Sequence, residues 1–330
     1  MTKREVHITN ILRSKGISVI ISLLGVWMAW SALMAGKVAG WAADTSVAFP
    51  TPSTWFEWAP ELSFWVNIAV IIAVAGVMIS LNRHYNLLRT LSLTFVAIFI
   101  FTTCATPAVA GAFGGSTLLA LAVMVCVWIM FSIYSLRVCS RRVFLVFTIL
   151  SAGAMVDYTF LLYVPVFLIG MGQMKVFKLK KLAAALLGLI TPPWIVYGLG
   201  LLPLPQLPVV YFTPPQTVMD IPGGLPLLAT VAATMLAGIV VGMINLFRIM
   251  GFNSRARAYN GLLSVISILT GVFAVVNFTN LVFYVTLLNA CVAFQVGLFF
   301  RYALQRRGYI LILSLLAIYT GLWFWQLTAV

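Results

Sequence analysis

Eleven long apolar runs, broken by short polar or basic interruptions, account for nearly the whole chain. At about 20 residues per crossing of a hydrocarbon core about 30 Å thick, they predict spanning helices along the full length. The spans fall at about 17–34, 64–81, 90–107, 116–136, 143–157, 158–174, 182–202, 224–247, 260–276, 281–300 and 309–327. Within each span the backbone must be helical, because hydrocarbon offers no partner to a free N–H or C=O. The expected fold class is therefore all-α: a polytopic integral membrane helix bundle of about eleven segments.

The stretch 143–174 decides the count. Read as one tilted helix, it would send nine basic residues to one side of the membrane and eleven to the other. Read as two short antiparallel helices, it leaves nineteen of the twenty Lys and Arg on one side. The clusters are Lys3, Arg4, Arg13 and Lys15; Arg83 and Arg89; Arg137, Arg141 and Arg142. Then follow Lys175, Lys178, Lys180 and Lys181; Arg248, Arg255 and Arg257; Arg301, Arg306 and Arg307. Lys37 alone lies opposite, together with five of the six acids: Asp44, Glu57, Glu61, Asp157 and Asp220. Short loops rich in Lys and Arg stay cytoplasmic. The hairpin reading is adopted, with the N-terminus cytoplasmic, the C-terminus external, and the inner membrane of a bacterium as the location.

Each hairpin helix has about 15 residues and reaches only about 22 Å. Its tip, at Asp157 and Tyr158, is expected below the outer surface. A carboxylate at that depth costs a few kcal/mol unless paired or wetted, which argues for a water-filled recess. The other reading is an N-cap, with Asp157 accepting from backbone N–H groups of the second short helix. The two are compatible, and both stay open.

Composition narrows the class. With 63% hydrophobic and 8% charged residues, a soluble globular domain is excluded, since such domains carry about 25% charged residues. Residues 1–330 read as a single transmembrane domain with two longer external loops, about 35–63 and 203–223. The net charge of +14 is dispersed over loop ends rather than gathered in a patch, so no nucleic-acid partner follows; the partner is the lipid bilayer. Residues 1–34 have the outline of a signal peptide, but the apolar run from Ile17 to Met34 is long enough to be kept as a first helix.

The first external loop holds Trp41, Trp55, Phe56, Trp58 and Trp65, an interfacial belt with a short surface helix expected near Trp55 to Trp58. Pro60 and Glu61 read as the first turn of the second span. The second loop carries Pro203, Pro205, Pro208, Pro214, Pro215 and Pro222, the composition of a stiff extended flap. Asn67, Asn245, Asn289 and Gln295 lie within spans and read as helix-to-helix glue. The Asn277-Phe278-Thr279 sequon is taken as chance.

Chemistry is sparsely signalled. The four cysteines form no CxxC pair, and the two histidines sit in basic stretches, so neither points to a metal centre. No nucleophile elbow, HExxH or Walker loop occurs. External carboxylates remain: Asp44, Asp157 and Glu57 are the catalytic candidates, and Lys37, Asp220 and Tyr158 the candidates for contacting substrate. A carboxylate in a recess at the membrane surface serves as a general base on a hydroxyl, or holds a divalent cation beside a lipid phosphate. No other cofactor is identified.

From Leu81-Asn82, through Leu87-Leu88-Arg89, to Thr191-Pro192-Pro193 the chain resembles an uncharacterised family of polytopic membrane proteins from Bacteroidetes. The resemblance is carried by the basic turn Arg137 to Arg142, the hairpin around Asp157 to Pro165, the basic turn Lys175 to Lys181, and Gly188-Leu189-Ile190-Thr191-Pro192. The short hairpin and acidic first loop are also similar to those of membrane glycosyltransferases that use polyprenyl-linked sugars. That similarity implies that Asp44 is the acceptor-activating carboxylate and that Asp157 lines a lipid-sugar cavity. The expected function is handling of a lipid-linked envelope glycan precursor at the external face. The alternatives are a non-catalytic subunit bound to other membrane proteins of an envelope assembly, and a small-solute transporter.

Overall fold

The computed structural model describes residues 7, 10–36, 48–88, 92–200, 202, 224–249, 251, 253–302 and 306–329. Among the described residues every regular element is helical and no strand occurs. Among the described residues eleven helices of 11 residues or more follow one another: α1 (Lys15–Met34), α2 (Pro60–Tyr85), α3 (Thr94–Cys104), α4 (Gly115–Ser132), α5 (Ser140–Ala154), α6 (Tyr163–Gln173), α7 (Leu179–Pro193), α8 (Gly224–Ile249), α9 (Ser254–Val276), α10 (Leu281–Tyr302) and α11 (Arg306–Ala329). Each falls on one of the eleven apolar runs. Eight are long and apolar enough to cross a membrane: α1, α2, α4, α7 with its π-helical extension Trp194–Gly198, and α8 to α11. This is the form of a multi-pass membrane protein.

The other three runs form shorter helices. Helix α3 has 11 residues, α5 has 15, and α6 has 11 behind a 3-10 turn at Tyr158–Leu162. At 1.5 Å per residue, α3 is only about 16 Å long. It tolerates this because it meets protein rather than lipid: it lies among α1, α2, α10 and α11, and nearly all its residues are buried. Gly25 of α1 permits the closest approach, since a Cβ there would lie 2.9 Å from Phe101 Cα.

Beyond Cys104 the chain turns and makes a single helical turn, Pro107–Ala110. Irregular backbone at membrane depth must be satisfied by protein, and Asn67 of α2 does this. Its Nδ2 donates to Val109 O at 2.8 Å and Ala110 O at 3.0 Å, while its Oδ1 accepts from Thr117 Oγ1 at 2.9 Å.

Helix α10 is the axis of the bundle, with 94% of its spanning window buried. Asn289 ties it to its neighbours, donating to Thr103 Oγ1 at 3.4 Å and accepting from Thr234 and Tyr319 hydroxyls at 3.5 Å each. Asn67 and Asn289 thus act as the interhelical glue their positions imply. Asn245 does so through its Nδ2, which donates to Gln295 O at 2.7 Å.

Cross-contacts gather the basic clusters at one end of the bundle. Thr94 Oγ1 donates to Leu12 O at 2.8 Å, and Arg301 Nη1 to Leu88 O at 2.6 Å. Lys181 Nζ reaches Leu136 O at 2.8 Å, and Tyr134 OH reaches Ser254 Oγ at 3.2 Å. The 143–174 stretch does reverse direction: Ser135 N donates to Met174 O at 3.0 Å, so the chain leaves and regains the same end. Its turn is tight enough that a Cβ on Gly153 would lie 2.2 Å from Phe160 Cδ1. Glu61, in the first turn of α2 behind Pro60, marks the opposite, acidic end.

Candidate functional site

Three pieces of chain meet at the acidic end: the hairpin tip at 155–163, the turn at 277–284, and the end of the first long loop. The loop is fastened by two backbone bonds, Ala48 N and Phe49 N donating to Met155 O at 2.9 and 3.1 Å. Behind it the chain makes a 3-10 turn at Pro52–Thr54, then irregular turns rather than the expected surface helix. Trp55 Nε1 donates to Pro50 O at 2.9 Å, and Trp55 and Phe56 both lean on Phe113 with ring centroids 5.9 Å away. Trp58 is 78% exposed, as a residue bound for the interface should be.

Asp157 is 0% exposed and caps the 3-10 turn that follows it. Its Oδ1 accepts from Thr159 N at 2.8 Å and from Thr159 Oγ1 at 2.7 Å. The N-cap arrangement is therefore present, and this carboxylate faces protein rather than open water. Glu57 is exposed in the turn after Pro52–Thr54. Asp44, Lys37 and Asp220 lie outside the described residues.

Tyr158 projects beside the capped carboxylate and is half-buried. Its phenol oxygen accepts from Asn280 Nδ2 at 2.9 Å and from Asn277 Nδ2 at 3.2 Å. Asn277 Nδ2 also donates to Tyr284 OH at 3.0 Å, and Tyr163 OH pairs with Thr270 Oγ1 at 3.1 Å one layer deeper. A phenol has two lone pairs and one hydrogen. With both lone pairs occupied by amides, Tyr158 keeps its O–H as a directed donor, suited to a phosphate or sugar oxygen.

Of the sequence candidates, then, Asp157 and Tyr158 come together, and Glu57 shares their end of the bundle. Sequence reasoning missed Asn277, Asn280 and Tyr284. The available signal is two asparagines three residues apart in a turn between apolar runs. Asn277 is buried with its amide bonded, so its side chain is inaccessible to a glycan. Among the described residues no group of three His, Cys, Asp or Glu side chains converges on a point where a metal ion could sit.

No family model, curated protein or solved structure matches the chain.

Proposed function

We propose that the protein handles a lipid-linked envelope glycan precursor at its acidic end, in the manner of a glycosyltransferase. In this reading all eleven helices serve as membrane segments of a bacterial inner-membrane protein. The basic end is cytoplasmic, the N-terminus lies inside and the C-terminus outside. The observation that carries the reading is the Tyr158 hydroxyl, held by Asn277 and Asn280 with its hydrogen free to donate, where loop and hairpin meet. Asp44 precedes the Ala48 anchor on that hairpin by four residues and is the proposed base for the acceptor hydroxyl. Glu57, Lys37 and Asp220 are proposed as supporting groups, a divalent cation as a counter-charge for the lipid phosphate, and Asp157 as the residue that sets the hairpin tip.

A second reading, a non-catalytic subunit of an envelope assembly, is favoured by the burial of Asp157 as a cap. One experiment separates the two. Membranes containing the protein are incubated with a radiolabelled polyprenyl-phosphate sugar and an envelope acceptor fraction. Transfer by the wild type, lost in Asp44→Asn and reduced at least tenfold in Tyr158→Phe with normal protein levels, supports the enzyme. Equal transfer by wild type and both variants sinks it.

A further inference from the structure

Consecutive helices α8 and α9 both lie along α10 but splay apart, leaving a lengthwise groove of about 450 Å³ with α10 as its floor. Its walls are apolar, with Ile239 and Met243 on one side and Ile268 and Val272 on the other. Met235 meets Gly271 across it, where a Cβ on the glycine would lie 3.2 Å from Met235 Cε. From that level the lining runs along α8 to Leu246 and along α9 to Val276, about 24 Å in all at 1.5 Å per residue. All the space between the walls, about 1050 Å³, gives a mean cross-section of about 45 Å², against about 80 Å² for a helix 10 Å across. The groove is wide enough for a hydrocarbon chain and too narrow for another helix.

An apolar groove with nothing else would be a place for any bilayer lipid. This one has an amide in its floor and further polar side chains just beyond its lining, toward the basic end. Gln295 is 7% exposed, lines the floor, and has an Oε1 with no hydrogen-bond partner. Gly242 leaves room for it, since a Cβ there would lie 3.2 Å from that oxygen. One turn nearer the basic end, Asn245 Oδ1 is likewise buried and unpartnered. One turn further, Arg248 stacks over Phe299 with its guanidinium carbon 5.1 Å from the ring centroid, and its Nη1 is buried without a partner. Arg255 and Arg257 stand beyond it, and no acid lies between residues 245 and 260.

We infer that this groove is a binding site for one anionic glycerophospholipid from the leaflet at the basic end. One acyl chain fills the groove and the phosphate sits on Arg248. Arginine is suited to that contact because its planar fork binds phosphate oxygens two at a time. Gln295 lies two turns deeper, at the level of the ester groups, where its Nε2 is a donor for an ester carbonyl. The site is separate from the acidic-end cluster, and its occupancy does not depend on what that cluster does.

The test is native mass spectrometry of the full-length protein, released from detergent with equimolar phosphatidylglycerol and phosphatidylcholine. The expected result is one retained phosphatidylglycerol with at least tenfold preference over phosphatidylcholine. Arg248→Gln should cut that preference to twofold or less. Ile239→Trp, at a lining position 54% exposed and outside the core, should remove the retained lipid while leaving the melting temperature unchanged. Equal retention of both lipids by the wild type, or unchanged retention in Ile239→Trp, would mean annular lipid only and overturns the proposal. An unchanged preference in Arg248→Gln overturns the headgroup assignment. Displacement of phosphatidylglycerol by equimolar polyprenyl phosphate overturns the choice of a phospholipid.

Discussion

Replacing Asn67 with Leu asks whether one side chain holds up a stretch of non-helical backbone inside the bundle. Asn67 is fully buried and makes three hydrogen bonds, two of them to the terminal carbonyls of the Pro107–Ala110 turn. Leucine has the same branched heavy-atom skeleton, so no cavity is left, though its two methyls are bulkier than the amide and add some overpacking. Thr117 also donates to Gly114 O at 3.1 Å and keeps that outlet, so its loss is slight. Val109 O and Ala110 O lose their donor, at about 1–3 kcal/mol for a buried group left unsatisfied. Measured hydrogen bonds between membrane helices average about 0.6 kcal/mol and reach about 1.7, which favours the lower part of that range. A loss of about 2–4 kcal/mol is expected, read from reversible unfolding in mixed detergent micelles. Asn67→Asp should be destabilised further as pH rises from about 4, because only a protonated carboxyl has a hydrogen to give to the two carbonyls. If Asn67→Leu unfolds within about 0.5 kcal/mol of the wild type, the carbonyls have other partners and the account of the α3–α4 connection is wrong.

Gly153→Ala places a methyl against the Phe160 ring at the hairpin tip and should cost about 1–3 kcal/mol by overpacking, seen as a lower melting temperature in detergent. A melting temperature equal to wild type would show that the tip is looser than its geometry. At the cap, Asp157→Ala should cost about 2–4 kcal/mol, from the lost cap together with the stranded Thr159 hydroxyl. Asp157→Asn keeps an acceptor oxygen in place and should cost less. Equal losses in the same unfolding assay would show that charge, rather than acceptance of the Thr159 hydrogens, is what the position needs.

Much of the fold was legible because hydrocarbon allows so little else. Apolar run length and the bias of basic residues located the eleven helices and the reversal at Asp157, and Pro60 with Glu61 marked a helix start. The legibility failed where protein rather than lipid surrounds the chain. The run 90–107 reads as a full span, yet the helix stops at Cys104, because Asn67, forty residues back, supplies donors that only the folded bundle brings near. Thr106-Pro107 and the glycines at 111, 114 and 115 carried a hint that was outweighed by hydropathy.

The candidate site was half legible. Asp157 and Tyr158 stood out as polar residues at the tip of an apolar hairpin. Asn277 and Asn280 did not, since their role depends on a phenol 119 and 122 residues distant in sequence. In the sequence Gln295 reads like the other in-span amides, as glue. Only the splaying of two neighbouring helices distinguishes it, and no periodicity in the chain encodes that.

The indole of Trp323, near the end of α11, donates to Met28 O of α1 at 3.2 Å. Two helices far apart in sequence thus touch through one side chain. During synthesis the first helix is made with one flank awaiting a neighbour that exists only after nearly three hundred further residues. That flank must be covered by lipid or by the insertion machinery in the interval. A ribosome stalled before α11 would leave the Met28 carbonyl without its indole donor, a mark by which quality-control proteases could tell such a chain from one that carries α11.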